Sequence, residues 1–561
     1  MTANGRHRLF CVIVVSALLS LQLIKAQFRL TDVTDQTGID FTHTDGSFGQ
    51  RYIVESVSAG LALFDYDNDG DIDIYFLNGR PLQVNRSPTG NALYRNEGNF
   101  QFTNVTSTAG VGDLGHGLGV AVGDYDNDGY ADLYLNNFGP NVLYRNNGDG
   151  TFTNVTQSAG VANGDKVGAG ASFLDIDRDG YLDLFVANYV EFSCADNVKR
   201  TVRGFPQHAG PLDYLPMPNT LYKNNGDGTF SDVTKSSGIA NHLGTGMGLI
   251  SADYDNDGDP DILVANDLLG NFLFRNDGDG NFDEVGLQTG FAYDLNGSVQ
   301  SSMGVDCADY DNDGHLDFFV TSYARELSTL YRNLGNGTFE DVGLVAGASA
   351  SVLPHVTWGT GFADYDNDGD RDIFIACGHI EDNIQLYDST TAYRCPNVVL
   401  LNTGNGRFTD VSQHCGDGLQ PVMSSRGIGL DDLDNDGDID VVILNARQKP
   451  TILENQTENG NYWLKISLVG TQSNRTAVGA KVKVVAGKLT QISVVHSGRS
   501  YQSHYGQDLH FGLGRHLRID TIEIIWPSGL HSIYRNIPTN RNLVLQEGQT
   551  QVQYERQQNS R

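Results

Sequence analysis

An all-β fold, a seven-bladed β-propeller with calcium-binding hairpin loops followed by a small C-terminal β-domain, is predicted by three observations. An acidic stretch reading Asp-x-Asp-x-Asp-Gly-x-x-Asp occurs seven times, beginning at Asp65, Asp124, Asp175, Asp253, Asp309, Asp364 and Asp432. Each copy lies between short apolar runs, as a turn between two strands does. The copies recur every 51 to 78 residues, and two further strand-like motifs travel with them. About four strands per unit at such a period is the pattern of a propeller blade.

Taken in order, the chain opens with a secretory signal over residues 1–26. Arg6 and Arg8 form a basic start, Leu9 to Ile24 is uncharged and mostly apolar, and Ala26 is a small residue suited to cleavage. The apolar run is short for a membrane span, and no second one follows. A secreted, extracellular protein with no membrane span after cleavage is expected, with an uncleaved anchor as the other reading. Residues 27–460 carry the repeats. After six acidic loops comes a strand like Asn141-Val-Leu-Tyr-Arg-Asn146, then a Gly turn, then a strand like Phe152-Thr-Asn-Val-Thr156. The seventh loop is followed by Thr451-Ile-Leu-Glu-Asn455 but by no Phe-led strand. That strand stands alone near the N-terminus, Phe28-Arg-Leu-Thr-Asp-Val-Thr34, and is expected to complete the last blade. Closure of this kind removes free sheet edges.

Two repeats are stretched, between Asn188 and Asn219 and between Gly378 and Asn397. Long loops on a rigid scaffold are where binding often resides; a plain surface excursion is the equal alternative. From about Asn461 the acidic loops stop. Tyr462 to Leu468, Lys481 to Val485, Ile492 to His496 and Thr521 to Trp526 read as strands of a separate β-domain over residues 461–547. The tail, 548–561, is Gln-rich and is expected to be disordered.

The chemistry sits in the seven loops. Carboxylates at positions 1, 3 and 5 converge only if the chain curls tightly. Gly at position 6 permits the curl, and Asp at position 9 closes the cage. Many hard oxygen ligands in a small loop suit Ca²⁺. The candidate ligands are Asp65, Asp67, Asp69 and Asp73; Asp124, Asp126, Asp128 and Asp132; Asp175, Asp177, Asp179 and Asp183; Asp253, Asp255, Asp257 and Asp261; Asp309, Asp311, Asp313 and Asp317; Asp364, Asp366, Asp368 and Asp372; and Asp432, Asp434, Asp436 and Asp440. Ordinary turns use the same residue types. Like charges packed this closely, seven times over, nonetheless call for a neutralising cation. Arg178, inside the third loop, is expected to weaken that site by repulsion.

The formal net charge is −32, from 69 acidic and 37 basic residues. Nucleic acid is an unsuitable partner for such a surface. Sequons at Asn85, Asn104, Asn154, Asn296, Asn336, Asn455 and Asn474 fit a secreted glycoprotein. After signal removal five cysteines remain. Cys307 reads as a buried thiol, and Cys194, Cys377, Cys395 and Cys415 are enough for two disulfides of undetermined pairing.

The acidic loops with their Phe-led and Leu-Tyr-Arg-Asn strands resemble the FG-GAP/VCBS repeats also found in integrin α-chain propellers. The final domain is similar to the ASPIC/UnbV domain in Gly470-Thr-Gln-Ser-Asn-Arg475, Val478-Gly-Ala480, His496-Ser-Gly-Arg-Ser500, His510-Phe-Gly-Leu-Gly514 and Trp526-Pro-Ser-Gly529. Together they resemble the cartilage acidic protein 1-like family. The resemblance implies a secreted calcium-binding propeller of matrix or cell surface. Some relatives carry a C-terminal calcium-binding EGF-like module; with no Cys after Cys415 in this sequence, that module is not expected here.

Two functional classes follow. The first is an interaction protein with structural calcium in each blade and extracellular proteins or matrix components as partners. The second is a propeller hydrolase, lyase or metal-dependent enzyme, in which His116, His208, His242, His355 and His379 gather with glycines at a face near the central channel. The sequence contains no nucleophile elbow, His-Glu-x-x-His or phosphate loop, so the first reading, a non-enzyme, is preferred. The Ser497–Ser503 stretch reads equally as a ligand surface or as structural turns.

Overall fold

The computed structural model describes residues 28–82 and 89–554. The signal segment 1–26, the sequon at Asn85 and the end of the tail, 555–561, lie outside them.

Among the described residues, 28–455 contain seven antiparallel sheets built on the same four-strand pattern, the fourth of which gains Gln300–Ser301 as a fifth strand, and two smaller sheets, of three strands and two. The first of the seven contains Leu61–Phe64, Asp73–Phe76, Ala92–Asn96 and Phe102–Asn104. Its pattern follows from sequence. A fully buried apolar strand enters the acidic loop, a second leaves it, and the Leu-Tyr-Arg-Asn and Phe-led strands complete the sheet toward the outside. The first strand of each sheet lies against the first strand of the next, and that of the seventh lies against that of the first. The arrangement is β-propeller-like. In the seventh sheet Leu30–Asp32 pairs with Thr451–Asn455, with Leu30 opposite Asn455. The lone Phe-led strand therefore fills the outer place and covers the edge of Thr451–Asn455.

Residues 461–554 form two further four-stranded sheets. In one, Tyr462–Val469 lies between Leu509–Gly514 and, in parallel, Asn542–Gln546. The other orders Leu489–Val494, Lys481–Ala486, Arg518–Ile525 and His531–Pro538. Leu464, Ile466, Phe511, Ile522, Ile524, Trp526 and Leu543 fill the space between them. Gln553–Tyr554, in the tail expected to be disordered, pairs with Asn542–Gln546.

The two parts are joined through the middle of the ring. The loop 496–505 of the second domain enters it and is buried along its length. Ser500 exchanges backbone hydrogen bonds with Val305, and Val120 N–H donates to Gln502 O. His504 N–H donates to Leu61 O, and Leu63 N–H to His504 O. At the tip, the Tyr501 hydroxyl donates to Val57 O at 2.8 Å, and its ring meets Trp358 edge-on at 4.9 Å. The first strands make room with glycine. A Cβ on Gly60 would stand 2.1 Å from Gln502 O, and one on Gly361 would be 2.3 Å from the Tyr505 hydroxyl. The Ser497–Ser503 stretch is thus an internal plug, which, of the two expectations, fits structural turns and not a ligand surface.

The cysteines correct another expectation. Cys194, Cys307, Cys377, Cys395 and Cys415 all carry free thiols, and the two disulfides are not formed. Four of the five are buried. They sit on separate elements of the ring, Cys307 and Cys377 within strands of different sheets, and behave as small apolar side chains.

Candidate metal centres

Each acidic loop is a tight hairpin between the first two strands of a sheet. Position 6 is glycine with φ between 89° and 102° in all seven, as the curl requires. The position-1 carboxylate caps the turn: in the first loop Asp65 Oδ1 accepts from Asp69 N–H and Oδ2 from Gly70 N–H, at 3.1 and 2.9 Å. The position-9 carboxylate is a brace between strands. Asp73 Oδ2 accepts from Tyr66 N–H at 3.0 Å, and Oδ1 from Asn96 N–H at 2.8 Å. The same pair of bonds recurs in the other six loops, for example at Asp132 and Asp440.

Position 3 differs. Oδ1 of Asp67, Asp126, Asp177, Asp255, Asp311 and Asp366 is buried and meets no hydrogen-bond partner. A buried carboxylate oxygen left this way is costly. It lies beside the other two: ligand atoms of positions 1, 3 and 9 come within 4.8 Å of one another in Asp65/Asp67/Asp73, Asp124/Asp126/Asp132, Asp175/Asp177/Asp183, Asp253/Asp255/Asp261 and Asp309/Asp311/Asp317. The position-5 residues of these loops, Asp69, Asp128, Asp179, Asp257 and Asp313, are not part of those groups. Their Oδ1 accepts the N–H two residues on, as Asp69 does from Asp71 at 2.9 Å, which turns them toward their own turn. Burial pushes the position-1 carboxyls up, to about 6 for Asp65 and about 7 for Asp124, with the neighbouring aspartates adding to it. Those at position 9 rise well above the usual range, again through burial first. Such a cage carries a charge it cannot hold alone at neutral pH, and a hard divalent cation suits its all-oxygen set.

The loops are tied to one another. The side-chain amide of Asn146 donates to Tyr66 O of the first loop at 2.8 Å and to Ala131 O of its own. Asn224, Asn276, Asn333, Asn402 and Asn455 repeat this backward link. Asn96 closes the circle on Leu433 O of the seventh loop at 2.8 Å. These asparagines were not among the predicted site residues. The signal was available: Asn ends the third strand in all seven repeats. Position 4 links forward, as Asn68 does to Gly129 O and Asn127 to Gly180 O.

Arg178 occupies that same forward-linking position in the third loop. It has φ 56° and pairs with Asp259 of the next loop at 2.9 Å, so it leaves its own cage rather than repelling a cation there. The cation that does reach the third loop is Lys223, whose ammonium pairs with Asp177 and lies 3.8 Å from Asp179.

The histidines do not form one face. His116 is enclosed, bonded to Arg80 O and Val54 O. His242 stands edge-on to Phe272 and Phe274, and His355 is on a different sheet's approach. Only His208 and His379 meet, both bonded to Glu381, the first to its carboxylate at 3.0 Å and the second to its backbone N–H at 2.9 Å. There the two long insertions join, with Phe205 stacked on Tyr387 at 5.7 Å.

Repeated acidic hairpins on a β-propeller-like ring define the class, and the chain belongs to the FG-GAP-like repeat family, which matches residues 65–135, 125–186, 213–264, 253–320 and 309–375. An ASPIC and UnbV domain matches residues 470–552. The chain is similar to cartilage acidic protein 1 of Homo sapiens, 26% identical over 512 residues that cover 87% of this chain and 71% of the relative. It is also similar to that of Xenopus tropicalis, 24% identical over 500 residues, 84% and 70% of the two chains. Neither is named as an enzyme. Solved structures resemble the chain loosely. An Agrocybe aegerita lectin recognising non-reducing terminal N-acetylglucosamine gives a TM-score of 0.37 at 18% identity, over 64% of this chain and 82% of its own. A Bacillus licheniformis rhamnogalacturonan lyase gives 0.37 at 14%, over 76% and 75%. Among the described residues no helix is long and apolar enough to cross a membrane.

Proposed function

We propose that the chain is a secreted, extracellular interaction protein whose seven sheets are the blades of a propeller, each holding a structural Ca²⁺ in its Asp loop. One observation carries the metal: the same position-3 oxygen is buried and unpartnered in six separate loops, beside two further carboxylates. Positions 1, 3 and 9 would supply the first ligands, with position 5 swinging in as the ion binds. The ion would neutralise the cage and stiffen the hairpin to which the Asn links attach. Calcium is then part of the fold and not a reagent, and recognition falls to the surface, with extracellular proteins or matrix components as the partners. The similarity to cartilage acidic protein 1 supports the extracellular setting. The plugged middle of the ring supports binding over channel chemistry.

Thermal unfolding of the secreted protein across a calcium titration tests this. A rise in midpoint that magnesium does not reproduce, with several calcium equivalents bound, is expected. An unchanged midpoint with no bound calcium would refute it.

A further inference from the structure

Six of the seven Asp loops share one exposure, position 3 half-buried and position 5 exposed, although the seventh also meets the C-terminal domain through His510 and Gly437 O. The sixth departs from them. Asp366 at position 3 is 1% exposed, and Asp368 at position 5 is half-buried. What covers this loop is the C-terminal domain. The side-chain amides of Asn459 and Asn461 both donate to Asp366 O, the latter at 2.8 Å. Gly514 N–H donates to Asn367 O at 2.8 Å. Gly512 lies so close that an added Cβ would stand 1.9 Å from Asp364 Oδ2. Under this cover Asp366 Oδ1 is buried and meets no hydrogen-bond partner.

We infer that the sixth loop is an occluded cation site, closed by the C-terminal domain and opened only when that domain lifts. This rests on the calcium reading above and adds to it a division of labour among the loops. The six open loops exchange their ion with the surrounding fluid. The sixth traps its ion, which leaves only as fast as the domain lifts. The covering contacts are the side-chain amide bonds of Asn459 and Asn461, just ahead of the domain's first strand, and the backbone bond from Gly514 of the His510–Gly514 motif. That assigns the motif a role in sealing the site.

The full chain is loaded with ⁴⁵Ca, freed of excess label, mixed with excess EGTA, and sampled for retained label. One equivalent per chain is expected to leave at least ten-fold more slowly than the rest. Asp366→Asn removes that slow equivalent, whereas Asp126→Asn in the second loop removes a fast one. The pair Asn459→Ala with Asn461→Ala keeps the number of equivalents and shortens the slow phase several-fold; it leaves every carboxylate in place, so it serves even if Asp366→Asn does not fold. Release of all equivalents in a single fast phase, or a slow phase that survives Asp366→Asn, overturns the occlusion while leaving calcium binding intact. No retained or bound label at all overturns both.

Discussion

Replacing Asp306 with Asn tests how the plug is held. Asp306 lies on the first strand of the fifth sheet with a fully buried side chain, and Arg499 of the plug is 10% exposed. The Arg499 guanidinium donates from Nε to Asp306 Oδ1 at 2.7 Å, while Phe362 N–H donates to Oδ2 at 2.8 Å. The guanidinium also rests 4.8 Å from the centre of the Tyr505 ring. Burial raises the Asp306 carboxyl and Arg499 pulls it back, so the pair survives only as a pair. Asn keeps the shape and removes the charge, which strands a buried cation and sets amide hydrogens against guanidinium hydrogens. Breaking a buried pair from one side costs about 3–5 kcal/mol, a large share of the roughly 5–15 kcal/mol that holds an ordinary domain. Heat reports this poorly. At ~2.1 cal/mol/K per residue, roughly 520 cooperating residues give ~1.1 kcal/mol/K, so 4 kcal/mol moves Tm by only about 4 °C. Denaturant titration at constant slope is the better assay. Asp306→Leu combined with Arg499→Met removes both charges and is expected to recover most of the loss. A single-variant cost below about 1 kcal/mol, or a double variant no better than the sum of its parts, would refute the argument.

Three further outcomes follow from other sites. Lys223→Met frees Asp177 from its ammonium and should tighten calcium at the third loop about five-fold, from ~1 kcal/mol of relieved competition, measured by calorimetry against the parent. Gly60→Ala drives a Cβ to 2.1 Å from Gln502 O and should destabilise the full chain by about 3 kcal/mol or more, read from denaturant midpoints. Glu547 is subject to burial, which raises its carboxyl, but Ser528 Oγ–H and the N–H groups of Thr471, Ser473 and Gln472 outweigh that and hold it at about 2. Its contribution to stability is therefore complete above the unfolded value near 4.5 and is lost as pH falls toward 2. Glu547→Gln should flatten that acid limb, and an unchanged limb would count against the assignment.

The seven acidic hairpins, the four strands per unit and the pairing of Leu30–Asp32 with Thr451–Asn455 were legible because each depends on local patterning and on counting motifs. The plug was not. Ser497, Gly498, Ser500 and Ser503 have the composition of an exposed turn, and nothing local says that Val122 O and Val305 O, far off in the chain, will accept from Ser497 and Ser500. The position-5 aspartates were placed in the cage by spacing alone, and spacing does not reveal that their Oδ1 also accepts the N–H two residues on. Arg178 was misread for a similar reason: its long side chain crosses to Asp259, a partner that spacing does not reveal. The bonded asparagines, Asn96 to Asn455, were visible as a repeat but carried no charge and so were read as strand ends.

The seventh sheet has a consequence for synthesis. Its outer strand, Leu30–Asp32, emerges early, yet its partner Thr451–Asn455 comes some four hundred residues later. At roughly 5–20 residues per second, the early strand waits on the order of tens of seconds for its place. During that wait the nascent chain is an open arc, unable to become a ring from either direction. Its quality control must therefore be a matter of timing: a pause, a premature stop or a competing strand near residue 451 would leave every earlier hairpin intact and still yield a molecule that never closes.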